Sequence, residues 1–109
     1  MTLRELQDEV GAWSRRNFGD QPSVNPLLGA VEEMGELAHA HLKREQGIRG
    51  TADEHHAKAR DAVADVIVFL ADYCSRMGYD LEASVEEAWS QVRQRDWTAD
   101  PTRGRGSAA

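Results

Sequence analysis

Three glutamates fall within five residues in Glu32-Glu33-Met34-Gly35-Glu36, inside a run with helical apolar spacing. A second acidic pair, Asp61 and Asp65, opens the most hydrophobic stretch of the chain, Asp61-Ala-Val-Ala-Asp-Val-Ile-Val-Phe-Leu70. Glu32 and Glu36 are four residues apart, so on an α-helix they lie about 40° apart around the axis. Asp61 and Asp65 share that spacing, and Asp72 returns to the same line. Two acidic pairs on adjacent helices make a site for a hard divalent cation with oxygen ligands, magnesium first and manganese second.

Two features set these carboxylates apart from an ordinary solvated face. Like charges four apart on a helix repel, by a few tenths of a kcal/mol per pair, and no basic residue is interleaved within either group. Asp65 also sits among Ala64, Val66, Ile67, Val68 and Phe69, which predicts a partly buried setting. A buried carboxylate is costly unless a cation or hydrogen bonds compensate it.

Four helices must carry these groups. Thr2 and Glu5 have capping-box spacing, and Leu3, Leu6, Val10 and Trp13 form one stripe, predicting a helix over about 2–17. Asn25 as N-cap and Pro26 at the first helical position open a second helix over 26–46, with Leu27, Val31, Met34, Ala38 and Leu42 on one side and Gly47 as its stop. Thr51 and Glu54 offer another capping box before a helix over 53–77 ending at Gly78. That helix is apolar nearly all round, a pattern that predicts burial against another subunit as well as its own neighbours. Asp80 caps a fourth helix expected to run over 81–97. Its stripe is Leu81, Val85, Ala88, Trp89 and Val92. Residues 98–109 lack periodicity and read as a disordered tail. The expectation is a single all-α domain over 1–97, a four-helix, bundle-like arrangement with short connections.

The bulk properties restrict the function classes. A chain of 109 residues with 40% hydrophobic and 29% charged residues is long enough for one soluble domain. A formal net charge of −6 argues against binding nucleic acid through a basic surface. No run is long and apolar enough to span a membrane, and the opening Met1-Thr2-Leu3-Arg4-Glu5 is not a signal peptide, so a cytoplasmic protein is expected. The lone Cys74, at an apolar helical position, reads as a small core residue.

The box Glu32-Glu33-x-x-Glu36, followed by an acidic pair opening Asp65-Val-Ile-Val-Phe-Leu, resembles the MazG-like family of all-α nucleoside triphosphate pyrophosphohydrolases over about residues 25–97. The resemblance implies a helical bundle acting as a homodimer or dimer of dimers. It also implies Mg²⁺-dependent cleavage of a nucleoside triphosphate between the α- and β-phosphates, giving a monophosphate and pyrophosphate. By position, Glu33 and Glu36 match the metal-binding glutamates of the first box, with Glu32 leading it, and Asp65 matches the aspartate of the second. The second-box glutamate would fall at position 62, where this chain has Ala62, and Asp61 is the candidate substitute. Glu32 or Glu33 would take the attacking water's proton. Lys43, Arg93 and Arg95 are candidate phosphate contacts. Trp13 and Asn17, four apart on the first helix, are candidates to stack on and hydrogen-bond a base.

Two other readings compete. Ala62 favours a catalytically inactive bundle that binds a nucleotide or a protein. Glu36-x-x-His39 has the spacing used in di-iron carboxylate bundles, but the third helix carries no second such pair.

Overall fold

In the computed structural model, residues 1–106 are described. They form four α-helices, α1 (Leu3–Phe18), α2 (Val24–Gln46), α3 (Ala52–Met77) and α4 (Leu81–Val92), with no strand among the described residues. The all-α, bundle-like class expected from periodicity is therefore observed. No helix among the described residues is long and apolar enough to cross a membrane.

Local side-chain chemistry sets most of the boundaries. The Thr2 hydroxyl accepts from the Glu5 amide and the Glu5 carboxylate from the Thr2 amide, each at 3.1 Å, which completes the first capping box. Thr51 caps α3 by accepting from the Glu54 amide at 3.1 Å, and the Glu54 carboxylate accepts from the Thr51 hydroxyl at 3.2 Å. Asp80 caps α4 through the Ala83 amide; that bond, and then Arg4, hold its carboxyl below the ordinary range. Gly47 and Gly78 end α2 and α3 in the left-handed region, at φ 68° and 72°, where a side chain would be strained.

Two boundaries differ from expectation by more than one residue. The second helix starts at Val24 rather than after an Asn25 cap. Pro26 is still in the first turn, where its missing N–H costs nothing, and Asn25 instead donates to the Gln21 side chain at 3.2 Å. The fourth helix stops at Val92, five residues short of 97. Beyond it the described residues include turns at 97–99 and 101–103. Asp96 accepts from the amides of Thr98 and Ala99, and Asp100 from those of Thr102, Arg103 and Arg105. These short acidic side chains outcompete the helix for backbone donors. The last part of the expected tail, 107–109, lies outside the described residues.

α2 and α3 form an antiparallel hairpin, α1 lies across α3, and α4 touches mainly α1. The face of α2 turned inward carries Pro26, Ala30, Glu33, Leu37 and Ala40. The apolar stripe expected to form its core contact points outward instead: Leu27, Val31, Met34 and Leu42 are 39–61% exposed. Helical spacing identifies residues that share a face but not what covers that face.

A buried polar cluster joins α1 to α3. Ser14 and Asp72 are 0% and 6% exposed, and the Ser14 hydroxyl donates to Asp72 Oδ2 at 2.7 Å. Arg76 donates to Asp72 Oδ1 at 3.0 Å and to Ser14 Oγ at 2.7 Å. Its remaining nitrogen donates to the carbonyls of Gly19 and Gln21, both at 3.1 Å. Asp72, aligned with Asp61 and Asp65 in the sequence, is thus paired internally with Arg76, which also fixes the α1–α2 loop.

The hairpin seam also has no spare room at Gly29. A Cβ there would stand 2.4–2.8 Å from the Phe69 ring. Gly29→Ala should therefore cost about 1–3 kcal/mol through overpacking, read as a lowered thermal midpoint with an unchanged helical spectrum.

Candidate active site

The packing of α1 on the hairpin leaves a cavity of about 420 Å³. Its walls are mainly apolar, with Trp13 and Phe18 from α1, Pro26 from α2, and Val68 and Phe69 from α3. Trp13 and Phe18 meet edge to face, with centroids 5.6 Å apart and planes at 82°. The amides of Gln21 and Asn25 line it too, as do the carboxylates of Glu33, Asp65 and Asp72. A mostly apolar pocket with a few convergent polar groups is the ordinary form of a small-molecule site.

A second cleft, about 360 Å³, opens farther along the hairpin and is lined by Glu36, His39, Ala40, Lys58 and Asp61. The antiparallel register places Glu33 with Asp65 in the first cavity and Glu36 with Asp61 in the second. The four carboxylates therefore form two pairs across one helix seam.

Glu33 is the member under most strain. Its Oε2 is buried and has no hydrogen-bond partner. Removal from water pushes its carboxyl above the ordinary value of 4.5, and the charges of Glu36, Asp65, Glu32 and Asp61 push it further, in that order. A carboxylate surrounded by four others, with one oxygen unpaired, has the electrostatics of a cation ligand. Among the described residues, no three acidic, histidine or cysteine side chains already close around a single point. The donors fit a hard cation in charge and atom type, with Glu33 and Asp65 on one side and Glu36 and Asp61 on the other.

Several expected site residues lie elsewhere. Glu32 borders a shallow groove with Asn25, Leu28 and Gly29 and lines neither cavity. Asn17 donates to the Trp13 carbonyl of its own helix at 2.8 Å and does not reach the pocket that Trp13 lines. Lys43 donates to Gln46 at 2.9 Å and lines neither cavity. Arg93 and Arg95 follow the end of α4, exposed, and line neither cavity.

Sequence reasoning missed Lys58, Phe18, Phe69 and the Gln21–Asn25 amide pair. Lys58 is three residues before Asp61 and seven before Asp65, a helical spacing that carries the signal. The amides carried no comparable signal, because Asn25 reads equally well as a helix cap.

No family model matches the chain, and neither a curated protein nor a solved structure matches it.

Proposed function

We propose that this chain is a divalent-cation-dependent nucleoside triphosphate pyrophosphohydrolase, as the MazG-like box implies. Glu33 carries the reading, because it belongs both to the apolar pocket and to the carboxylate pairs. Its buried oxygen is unpaired and its carboxyl is raised by its neighbours. A group able to bind a cation or move a proton, lining a mainly apolar space walled by aromatic rings, supports this reading.

In this reading the base enters between Trp13, Phe18 and Phe69, whose ring faces and edges exclude water from it. Gln21 and Asn25 offer amide donors and acceptors to its polar edge. Glu33, Glu36, Asp61 and Asp65 would hold magnesium, which when bound would supply the charge that neutralises the phosphates and activates an attacking water. Glu33 then accepts the proton lost by that water as its oxygen bonds to the α-phosphorus. The bond from that phosphorus to the bridging oxygen breaks, and pyrophosphate leaves. Lys58, beside Glu36 and Asp61, contributes positive charge toward the leaving phosphates, the role first expected of Lys43.

The test is release of pyrophosphate from canonical and modified deoxynucleoside triphosphates in Mg²⁺ or Mn²⁺. Absence of turnover with every nucleotide, in protein shown to bind the metal, would sink the enzyme reading. It would leave a nucleotide- or protein-binding bundle, which one observation favours. Ala62, at the position of the family's glutamate, is 2% exposed and has no ligand atom, so any ligand from this turn of α3 must come from Asp61.

The pocket assignment makes its own prediction. Trp13→Ala should weaken binding of a nucleoside monophosphate by about 5- to 150-fold, the equivalent of the 1–3 kcal/mol that base stacking contributes. Titration calorimetry with the monophosphate measures this without catalysis.

A further inference from the structure

The two carboxylate pairs of the helix seam have different company. Glu33 and Asp65 share the first cavity, and among the described residues no lysine lines it and no arginine does. The third carboxylate of that cavity, Asp72, is already paired with Arg76 at 3.0 Å. The charges that act on Glu33 are those of Glu36, Asp65, Glu32 and Asp61, all negative. This end of the seam has no positive charge of its own.

The other end has one. Lys58 lines the second cleft with Glu36 and Asp61, and His39 adds an imidazole. Lys58 precedes Asp61 by three residues on α3, so the two side chains share a face of that helix. No other acid draws Lys58 away, since the ion pairs within 4.0 Å among the described residues belong to Arg4, Arg44 and Arg76. Its ammonium is closed on neither Glu36 nor Asp61, which leaves it free to meet a phosphate.

The donor set agrees with this asymmetry. The turn of α3 that carries Asp61 has only a methyl group at Ala62 and so gives the seam a single carboxylate. A two-metal centre clamps the attacking and leaving oxygens between two divalent ions, and each ion needs its own oxygen ligands. A second ion here would sit beside an ammonium, where two carboxylates are already partly offset by that charge. We infer that the seam holds one divalent cation per chain, and that Lys58 supplies the positive charge a second cation would bring to the Glu36–Asp61 end. Lysine is a compact point charge and a common phosphate binder, and unlike an ion it does not dissociate. The inference rests on the cation-dependent reading above and concerns how many cations that reading requires.

The test is equilibrium dialysis of the chelator-treated full chain against millimolar Mn²⁺ without substrate, counting bound ions per chain. Manganese is the probe because His39 would offer a second ion a nitrogen donor, which suits it better than magnesium. Wild type should bind one Mn²⁺. Lys58→Gln removes an exposed charge and should bind two. Lys58→Glu adds a carboxylate to the cleft and should hold the second ion about tenfold more tightly than Lys58→Gln, since affinity follows the charge of the ligands. Arg60→Gln removes the same charge from an exposed residue of α3 that lines neither cavity, and should stay at one. Two ions bound by wild type overturn the inference and leave the pyrophosphohydrolase reading standing. A single ion in both Lys58 variants overturns it as well, and so does a second ion in Arg60→Gln, which would make the effect one of overall charge. Wild type that binds no Mn²⁺ overturns the cation-dependent reading and this inference together.

Discussion

In the proposed reaction, Glu33→Gln should reduce pyrophosphate release by about 10²- to 10⁴-fold, the range that a positioned proton acceptor supplies, and should at the same time stabilise the metal-free protein. The two effects share a cause. Glu33 stands in the field of Glu36, Asp65, Glu32 and Asp61, with one oxygen buried and unpaired. That arrangement suits a cation and is unfavourable without one. Glutamine keeps the shape, removes the charge, and gives the buried position a donor.

The pH dependence follows from the direction of the shift. Glu33 holds its proton more tightly in the folded chain than in the unfolded one, so between the ordinary value of 4.5 and the raised folded value the native state binds more protons. Stability contributed through this residue is therefore present at low pH and is lost as pH rises through that window. Thermal melts in chelator should show the variant's advantage over wild type smallest below pH 4.5 and larger at pH 7.5. Adding Mg²⁺ should reverse the order, since a ligand bound only by the folded wild type raises its midpoint by mass action. A variant that melts below wild type in chelator at pH 7.5 would show that Glu33 is held by structure rather than strained by its neighbours.

Legibility from sequence divides along physical lines. Features that depend on residues within one turn were readable: the Thr2–Glu5 box, the Asp80 cap, and the glycine stops at Gly47 and Gly78. Features that depend on the register between helices were not. Spacing alone puts Lys43 on the Glu36 face, but the antiparallel hairpin brings Lys58 into the cleft with Glu36 and leaves Lys43 outside it. The same limit applies to α2, whose apolar stripe was visible while its outward direction was not. The end of α4 was misplaced because Asp96 and Asp100 compete for backbone donors from beyond the helix, a contest that periodicity does not register.

The second large effect is expected at Arg76, away from any reacting atom. Arg76 and Asp72 have side chains 6% and 9% exposed, and their ion pair at 3.0 Å is completed by Ser14. Arg76→Ala leaves the Asp72 charge buried and uncompensated, at a cost of about 3–5 kcal/mol. It also frees the carbonyls of Gly19 and Gln21, and with them the loop that brings Gln21 to the pocket. The thermal midpoint should fall by more than about ten degrees, given roughly 4–8 °C per kcal/mol in a domain of this size. Ser14→Ala removes one hydroxyl from the same cluster and should cost about 1–3 kcal/mol. The comparison that isolates the cause is the double replacement Asp72→Leu with Arg76→Met. Removing both charges together removes the desolvation cost along with the attraction, so most of the lost stability should return. The loop carbonyls would remain without their donor, so nucleotide affinity should stay low in the double variant even as its midpoint recovers. A double variant as unstable as Arg76→Ala alone would mean that Arg76 acts through the loop carbonyls rather than through Asp72.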